Sequence, residues 1–359
     1  MVWYIEIIKK YMRKKISTLL FAALVMLNSA GYSQKVETPY EVAVWSGFRS
    51  TAICYTFDDG YAGALSIAVP EFDKYGFKLT LFIPTDWSPD WVGLQNAASN
   101  GHEVASHTLS HPHLNEESND RQTAELRDSK KIINNHITGQ ECITVAYPFC
   151  AEGNDSITEK YYIAARVCSG KIEPSTPGSY MSVSSITCGT QGVNTLEGLK
   201  FLFKSAAELK GWCTLMIHGL DNETLDNGSN WSPFSSEVFK NSLKYLSDRK
   251  SEFWVTTFRN AALYSKERNS VTIKETSKSN NSITLKITDN LPDSIYNFPV
   301  TIRRPLPADW ASAAVTQNNV AVPTTLVKVD SVIHLTFDVI PDAGEVKILK
   351  SNIIINQNN

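Results

Sequence analysis

Apolar positions in this chain alternate between two spacings, and the switches between them predict the elements. Ala52, Ile53, Cys54, Tyr55, Thr56 and Phe57 form an apolar and β-branched run, the composition of a strand buried on both faces. Leu65, Ala68, Val69, Phe72 and Tyr75 then recur at helical spacing and end at Gly76, so 62–76 reads as a helix with a glycine stop. Residues 78–83 return to strand, 88–100 to a helix ended by Gly101, and 103–106 to a short strand. A charged amphipathic helix is predicted over 115–136, its Glu and Lys runs read as a solvated face. The alternation continues with a strand at 142–147, a segment at 161–167, a helix at 196–210, a strand at 213–218, a helix at 236–247, and a last strand and helix over 253–268. Repeated strand and helix predicts an α/β fold with a parallel sheet, here a distorted barrel with its helices outside.

After Asn269 the helical spacing stops. Short β-rich runs at 271–273, 283–288, 298–302, 326–329, 332–337 and 345–349 are divided by Asn, Asp, Pro and Ser, which predicts an all-β, sandwich-like module. The expected division is therefore a barrel domain over 34–268 and a β-rich domain over 269–359. That second domain is expected to pack against the barrel; holding glycan is its alternative role. No internal repeat is evident.

The first 33 residues have the layout of a signal peptide. Arg13-Lys14-Lys15 precede an apolar run from Leu19 to Leu27, followed by small and polar residues through Ser33, so Met12 is a candidate true start and cleavage is expected near Ala30 or before Gln34. The apolar run is short for a bilayer span. The processed protein is thus expected to be exported, periplasmic or secreted, without a stable membrane span; an uncleaved anchor is the alternative. The net charge is −3 with no basic block, which argues against nucleic acid as a partner. Six cysteines are too scattered for a disulfide scaffold, and none has the close paired spacing of a zinc-cysteine site. Cys54 reads as a small buried apolar residue, whereas Cys142, Cys150, Cys168, Cys188 and Cys213 allow several pairings.

The candidate chemistry begins where the first strand ends, in Asp58-Asp59-Gly60. Two adjacent carboxylates repel, and a cation bound to one of them relieves the repulsion. Four of the seven histidines fall within residues 102–113. If His107 and His111 share a helical turn, both imidazoles face one point. One Asp and two His leave coordination positions open for water and substrate, the catalytic arrangement rather than the structural one. Either element alone is commonly a solvated turn or a surface helix; together they point to a metal centre.

In order and spacing, Thr56-Phe57-Asp58-Asp59-Gly60, His107-Thr108-Leu109-Ser110-His111, Ala146-Tyr147-Pro148-Phe149 and Leu215-Met216-Ile217-His218 resemble the motifs of the polysaccharide deacetylase family, also called the NodB-homology or carbohydrate esterase family four domain. The resemblance spans residues 40–268. It implies an irregular (β/α) barrel with fewer than eight full strands, one divalent ion held by Asp59, His107 and His111, Asp58 as general base and His218 as general acid. The Phe149 amide is the implied oxyanion donor, because Pro148 has no N–H to give. Zinc is the expected metal, with cobalt, nickel or manganese also compatible with the ligand set. The implied partner is an acetylated polysaccharide, on nitrogen or on oxygen; the oligomeric state is left open.

Two departures from the family pattern stand out. The third motif usually begins with an Arg that orients the base, but Ala146 stands there, and Cys150 replaces the usual glycine. Arg166 is the residue expected to reach the base, or the substrate, instead. The fourth motif, an Asp and Trp pair that tunes the acid, has no clear match. Trp87, Trp91, Trp212 and Trp231 are expected to pack in core or loops, with sugar stacking as the alternative. Two further readings remain: a hydrolase of another amide or ester, and a glycan-binding protein with weakened catalysis.

Overall fold

In the computed structural model, which describes residues 35–221 and 230–351, two short strands, β1 (Lys35–Val36) and β2 (Glu41–Val42), precede the first long one, β3 (Thr51–Asp58). The parallel strands that follow are β4 (Thr80–Ile83), β5 (Glu103–Ser106), β6 (Thr144–Ala146), β7 (Ala164–Arg166), β8 (Ile186–Thr187), β9 (Trp212–Ile217) and β10 (Phe253–Val255). They form one sheet in the order β7-β6-β5-β4-β3-β9-β8, with β10 also on β3. Every pairing in it is parallel. The expected signal peptide lies outside the described residues.

All eight residues of β3 are buried, as a strand covered on both faces requires. Alternate residues go to different cores. Ile53, Tyr55 and Phe57 pack with Phe72, Phe203 and Phe239 from the covering helices. Ala52 and Cys54 join Phe82, Ala105, Ala146, Ala164 and Trp212 on the other side, closed by Phe258 and Tyr264 of the helix Phe258–Ser270. The small residues of this second core allow the sheet to curl. Three strands separate β7 from β3, about 19 Å across a flat sheet at the usual strand spacing. Yet Arg166 at the end of β7 touches Asp58 at the end of β3, so the sheet is a distorted barrel. A parallel bridge between Arg166 and Val183, just before β8, brings its two ends together.

The later strands are β11 (Thr272–Lys278), β12 (Ser282–Thr288), β13 (Val300–Pro305), β14 (Ser312–Gln317), β15 (Val320–Val322), β16 (Thr324–Val329), β17 (Val332–Val339) and β18 (Val346–Ser351). They form two sheets, β1-β11-β12-β18-β14-β15 and β16-β17-β13-β2, whose facing residues, among them Ile273, Leu285, Ile348, Ile302, Leu335 and Phe337, share one core. The segment before the barrel thus supplies an edge strand to each of these sheets, a partnership that β1 and β2 are too short to announce in sequence.

Candidate metal and catalytic site

The carboxyl ends of β3, β5, β7 and β9 converge on an open cleft of ≈ 960 Å³. Asp58 closes β3 on the inner face, and Asp59 follows in a left-handed conformation (φ 69°) with Gly60 (φ 74°). That tight turn aims the two carboxylates at the cleft instead of continuing the strand's alternation. Asp59, His107 and His111 each offer one ligand atom, all within 4.8 Å of one another. Nε2 of His107 and of His111 lie 3.5 and 3.4 Å from Asp59 Oδ1, and Oδ1 is buried without a hydrogen-bond partner among the described residues. His107 Nδ1 lies 2.8 Å from the Ala146 carbonyl, to which it donates, so Nε2 keeps its lone pair for the centre.

Burial pushes the Asp59 carboxyl up, but the imidazoles of His111, His107 and His218 outweigh it and hold the group at about 2. Burial also drives His107 down to about 4 against the pull of Asp58 and Asp59. At neutral pH the carboxylate is therefore ionised and the His107 ring neutral, the protonation states that a bound cation needs. An orphaned carboxylate oxygen facing two ring nitrogens is a donor set that fits a divalent ion.

The two histidines do not share a helical turn, contrary to the reading of their spacing. Residues 107–111 form a loop in which Thr108 (φ 67°) and His111 (φ 64°) are left-handed. Convergence comes instead from side chains that satisfy the loop's amides. Thr108 N donates to Ser106 Oγ (3.1 Å) and His111 N to Thr108 Oγ1 (3.1 Å). Leu109 N and Ser110 N both donate to Glu125 Oε2, at 2.9 and 2.8 Å.

Glu125 corrects the solvated-face reading of its helix. The helix runs Asn119–His136 behind an Ser118 cap, and Gln122, Glu125, Leu126, Ser129 and Ile133 make its buried face. The carboxylate is fully buried. Its place on the stripe of Leu126 and Ile133 was the signal available in sequence.

The other expected residues lie around Asp59, His107 and His111. Arg166 Nη2 is 2.5 Å from Asp58 Oδ2, and its Nη1 meets Ser185 Oγ at 3.2 Å. Among the described residues Asp58 Oδ1 has no hydrogen-bond partner. Ala146 and Arg166 are register partners on adjacent strands and both face inward, so the guanidinium reaches Asp58 from one strand over from Ala146. His218, after β9, holds Nε2 4.0 Å from Asp58 Oδ2 and 3.8 Å from Asp59 Oδ2. Burial lowers its pKa while the two carboxylates oppose that shift, and Nδ1 is buried without a partner among the described residues.

Phe149 (φ 54°) and Cys150 (φ 58°) form a left-handed turn after β6. Cys150 is bonded to Cys168, two residues past Arg166, and Cys54, Cys142, Cys188 and Cys213 are free and buried. The Phe149 ring is exposed, stacks on His113 at 4.0 Å and meets His111 edge-on at 4.7 Å.

The tryptophans divide. Trp212 lies in the core and Trp91 stacks on His136. Trp87 and Trp231, both about half exposed, instead line the cleft against His111 and His218, at 4.9 and 4.5 Å, which the packing expectation missed. His102, the fourth histidine of the cluster, is structural: its Nδ1 accepts from Leu79 N and its Nε2 meets Asp73. Among the described residues no helix is long and apolar enough to cross a membrane.

Residues 47–164 match the family model described as polysaccharide deacetylase. A gellan lyase of Bacillus sp. is 26% identical over 334 residues, 86% of this chain and 13% of its own length. A protein of Bacillus subtilis (strain 168), provisionally named a polysaccharide deacetylase, is 34% identical over 101 residues, 27% of this chain and 36% of its own. The chain thus spans 13% and 36% of these curated relatives. The crystal structure of a Mycobacterium smegmatis protein, assigned provisionally to the polysaccharide deacetylases, superposes with a TM-score of 0.50 at 15% identity, over 69% of this chain and 99% of that one; the two share a fold.

Proposed function

We propose that this protein, whose residues 47–164 match the polysaccharide deacetylase model, is a metal-dependent hydrolase that removes acetyl groups from a polysaccharide. The observation that carries the reading is the trio Asp59, His107 and His111, its ligand atoms within 4.8 Å of one another, beside a second carboxylate tied to an arginine.

In this reading Asp59, His107 and His111 hold one divalent ion, zinc first among the candidates. Such an ion, when bound, polarises the acetyl carbonyl and acidifies water. Asp58 is the general base. Arg166 occupies Oδ2 and leaves Oδ1 unpartnered, so the carboxylate is fixed in orientation with one oxygen ready to take a proton. His218 is the general acid; a lowered pKa makes its protonated form a stronger donor to the departing amine or alkoxide. Trp231 supplies an aromatic neighbour to that acid. The Phe149 amide is the oxyanion donor, and the exposed rings of Trp87, Phe149 and Trp231 are apolar surfaces for a sugar face. Export through an N-terminal signal peptide, as 1–33 reads, would put the enzyme with its polymer.

The test is acetate release from a panel of N- and O-acetylated glycans, with gellan included because a relative carries its name, run with chelator and with added zinc, cobalt, nickel or manganese. Metal-dependent acetate release from a glycan is the expected result. Metal binding with turnover of other amides or esters only would replace the substrate class, and glycan binding without any hydrolysis would replace the enzyme by a binding protein.

A further inference from the structure

Glu125 belongs to none of the motifs that carry the metal or the proton transfers, yet its carboxylate reaches the loop between the two metal-ligand histidines. Oε2 accepts from both Leu109 N and Ser110 N, at 2.9 and 2.8 Å. Oε1 accepts from Ser110 Oγ at 2.6 Å and pairs with Arg121 Nη2, also at 2.6 Å. The side chain of Glu125 is fully buried while that of Arg121 is nearly half exposed, so the guanidinium caps the carboxylate from the solvent side. Arg121 Nη2 also reaches Ser110 Oγ, at 3.0 Å.

The loop needs this support for a physical reason. Two non-glycine residues in it, Thr108 and His111, hold positive φ, a conformation that persists only where the surroundings over-determine it. The loop is neither helix nor strand, so its buried amides need acceptors from elsewhere. Ser106 and Thr108 serve two of the four amides from 108 to 111; Glu125 serves the other two. A charged acceptor makes these bonds stronger than neutral ones, and it sits on a long helix rather than on the loop itself.

We propose that Glu125 is a positioning residue for the metal centre, a buried carboxylate clamp that holds the 108–110 backbone so that His111 stays aimed at the point shared by His107 and Asp59. The clamp acts through the loop and touches neither substrate nor metal. It rests on the proposed function only in taking that point to be the metal position.

The experiment compares the full chain with Glu125→Ala and Glu125→Gln. Three quantities are read: zinc affinity by competition with a chromophoric chelator, amide hydrogen exchange of residues 107–111 in the metal-free protein, and the melting temperature of the metal-free protein. Glu125→Ala is expected to weaken zinc by about 10- to 100-fold, the range for lost outer-shell partners, and to speed exchange at Leu109 and Ser110 by at least about tenfold. Glu125→Gln keeps an acceptor for the two amides and is expected to recover most of both. If the alanine variant does not fold, the glutamine variant and Ser110→Ala, which deletes the hydroxyl's contacts with Glu125 Oε1 and Arg121 Nη2 and keeps both amide bonds to Oε2, still each predict a smaller loss of zinc affinity with faster loop exchange. Folded variants that bind zinc as tightly as the parent, with a lowered melting temperature alone, would make Glu125 a stability residue and overturn the clamp. A parent protein that binds no divalent ion overturns the proposed function, and the clamp with it; unchanged zinc affinity in the variants of a parent that does bind overturns the clamp alone.

Discussion

Two segments flank the cleft, and each contains two left-handed residues that are not glycine: Thr108 and His111 after β5, Phe149 and Cys150 after β6. Their supports differ in kind. The 107–111 loop is fastened by hydrogen bonds from Ser106, Thr108 and Glu125. The 148–150 turn is fastened by a covalent link from Cys150 to Cys168, with Tyr147 N donating to the Arg166 carbonyl at 3.1 Å. The first segment presents the proposed metal ligands His107 and His111, whose direction is set by polar contacts that act in the folded state. The second joins the strand ends of β6 and β7 and so carries Phe149 and Arg166 together. A division of labour follows, in which damage to the first wall reaches the metal and damage to the second reaches turnover with the metal in place.

The largest expected effect on the second wall comes from Arg166. Arg166→Ala removes the partner of Asp58, which is buried and would be left with an uncompensated charge; breaking such a pair typically costs about 3–5 kcal/mol of stability. Turnover is expected to fall on the order of 10²-fold as the base loses its orientation, while zinc stoichiometry stays at the parent value. Because Ala146 is the register partner of Arg166 on the inner face, adding Ala146→Arg to that variant is expected to restore a large part of the lost turnover. Acetate-release kinetics with metal analysis of both variants check this. Loss of zinc from Arg166→Ala would break the division between the walls.

The same residues show how far sequence carries this protein. The proposed metal trio is legible because its members follow apolar runs that end at the carboxyl edge of a parallel sheet, where α/β folds expose their chemistry. Arg166 is legible only through the departure at Ala146, which leaves the motif's arginine to be supplied from the Ala164-Ala165-Arg166 stretch that follows. The loop between the histidines is not legible. A spacing of four fits a helical turn, and nothing in Thr108 or His111 announces positive φ, which long-range acceptors impose. Glu125 is hidden for a related reason: in a helix whose exposed positions are charged, a buried carboxylate differs only by its phase relative to Leu126 and Ile133. β14, Ser-Ala-Ala-Val-Thr-Gln, escaped because small residues carry little strand signal, and its place in the sheet comes from pairing with β18 and β15.

A smaller effect on turnover is expected from the disulfide. Replacing Cys150 and Cys168 together by Ser frees the 148–150 turn from the end of β7, and kcat is expected to fall about tenfold through misplacement of the Phe149 amide, the proposed oxyanion donor, and of Arg166. The stability loss has a different origin from that of the arginine variant. A crosslink spanning 18 residues restricts mainly the unfolded chain, about 3 kcal/mol in the chain-entropy account, so urea unfolding would register it even if turnover did not change. Zinc affinity is expected to remain at the parent value. An affinity that drops with the disulfide would show that the two walls are mechanically coupled through the Phe149–His111 ring contact at 4.7 Å.

The smallest expected effect separates the walls by pH. His107 titrates at about 4 in the folded protein against an ordinary value of 6.5, burial being the main cause. As pH falls below 6.5 the unfolded chain takes up that proton before the folded one does, so metal-free stability declines with falling pH toward about 4 and this contribution then levels off. Asp59, held at about 2 against an ordinary 3.8, adds a second decline in a lower window, as pH falls from 3.8 toward 2. The two windows do not overlap, so urea unfolding of the metal-free protein at pH 7, 5 and 3 distinguishes them. His107→Asn is expected to make the upper decline shallower, the lowered His218 and His102 keeping part of it, and to narrow the lower one, since His107 helps to hold Asp59 down. Arg166 is one of the lesser groups that lower the His107 value, so Arg166→Ala is expected to narrow the upper decline slightly, whereas the Cys150 and Cys168 double variant should leave it unchanged. An upper window equally present in His107→Asn would assign that proton to another group and remove the electrostatic half of the contrast.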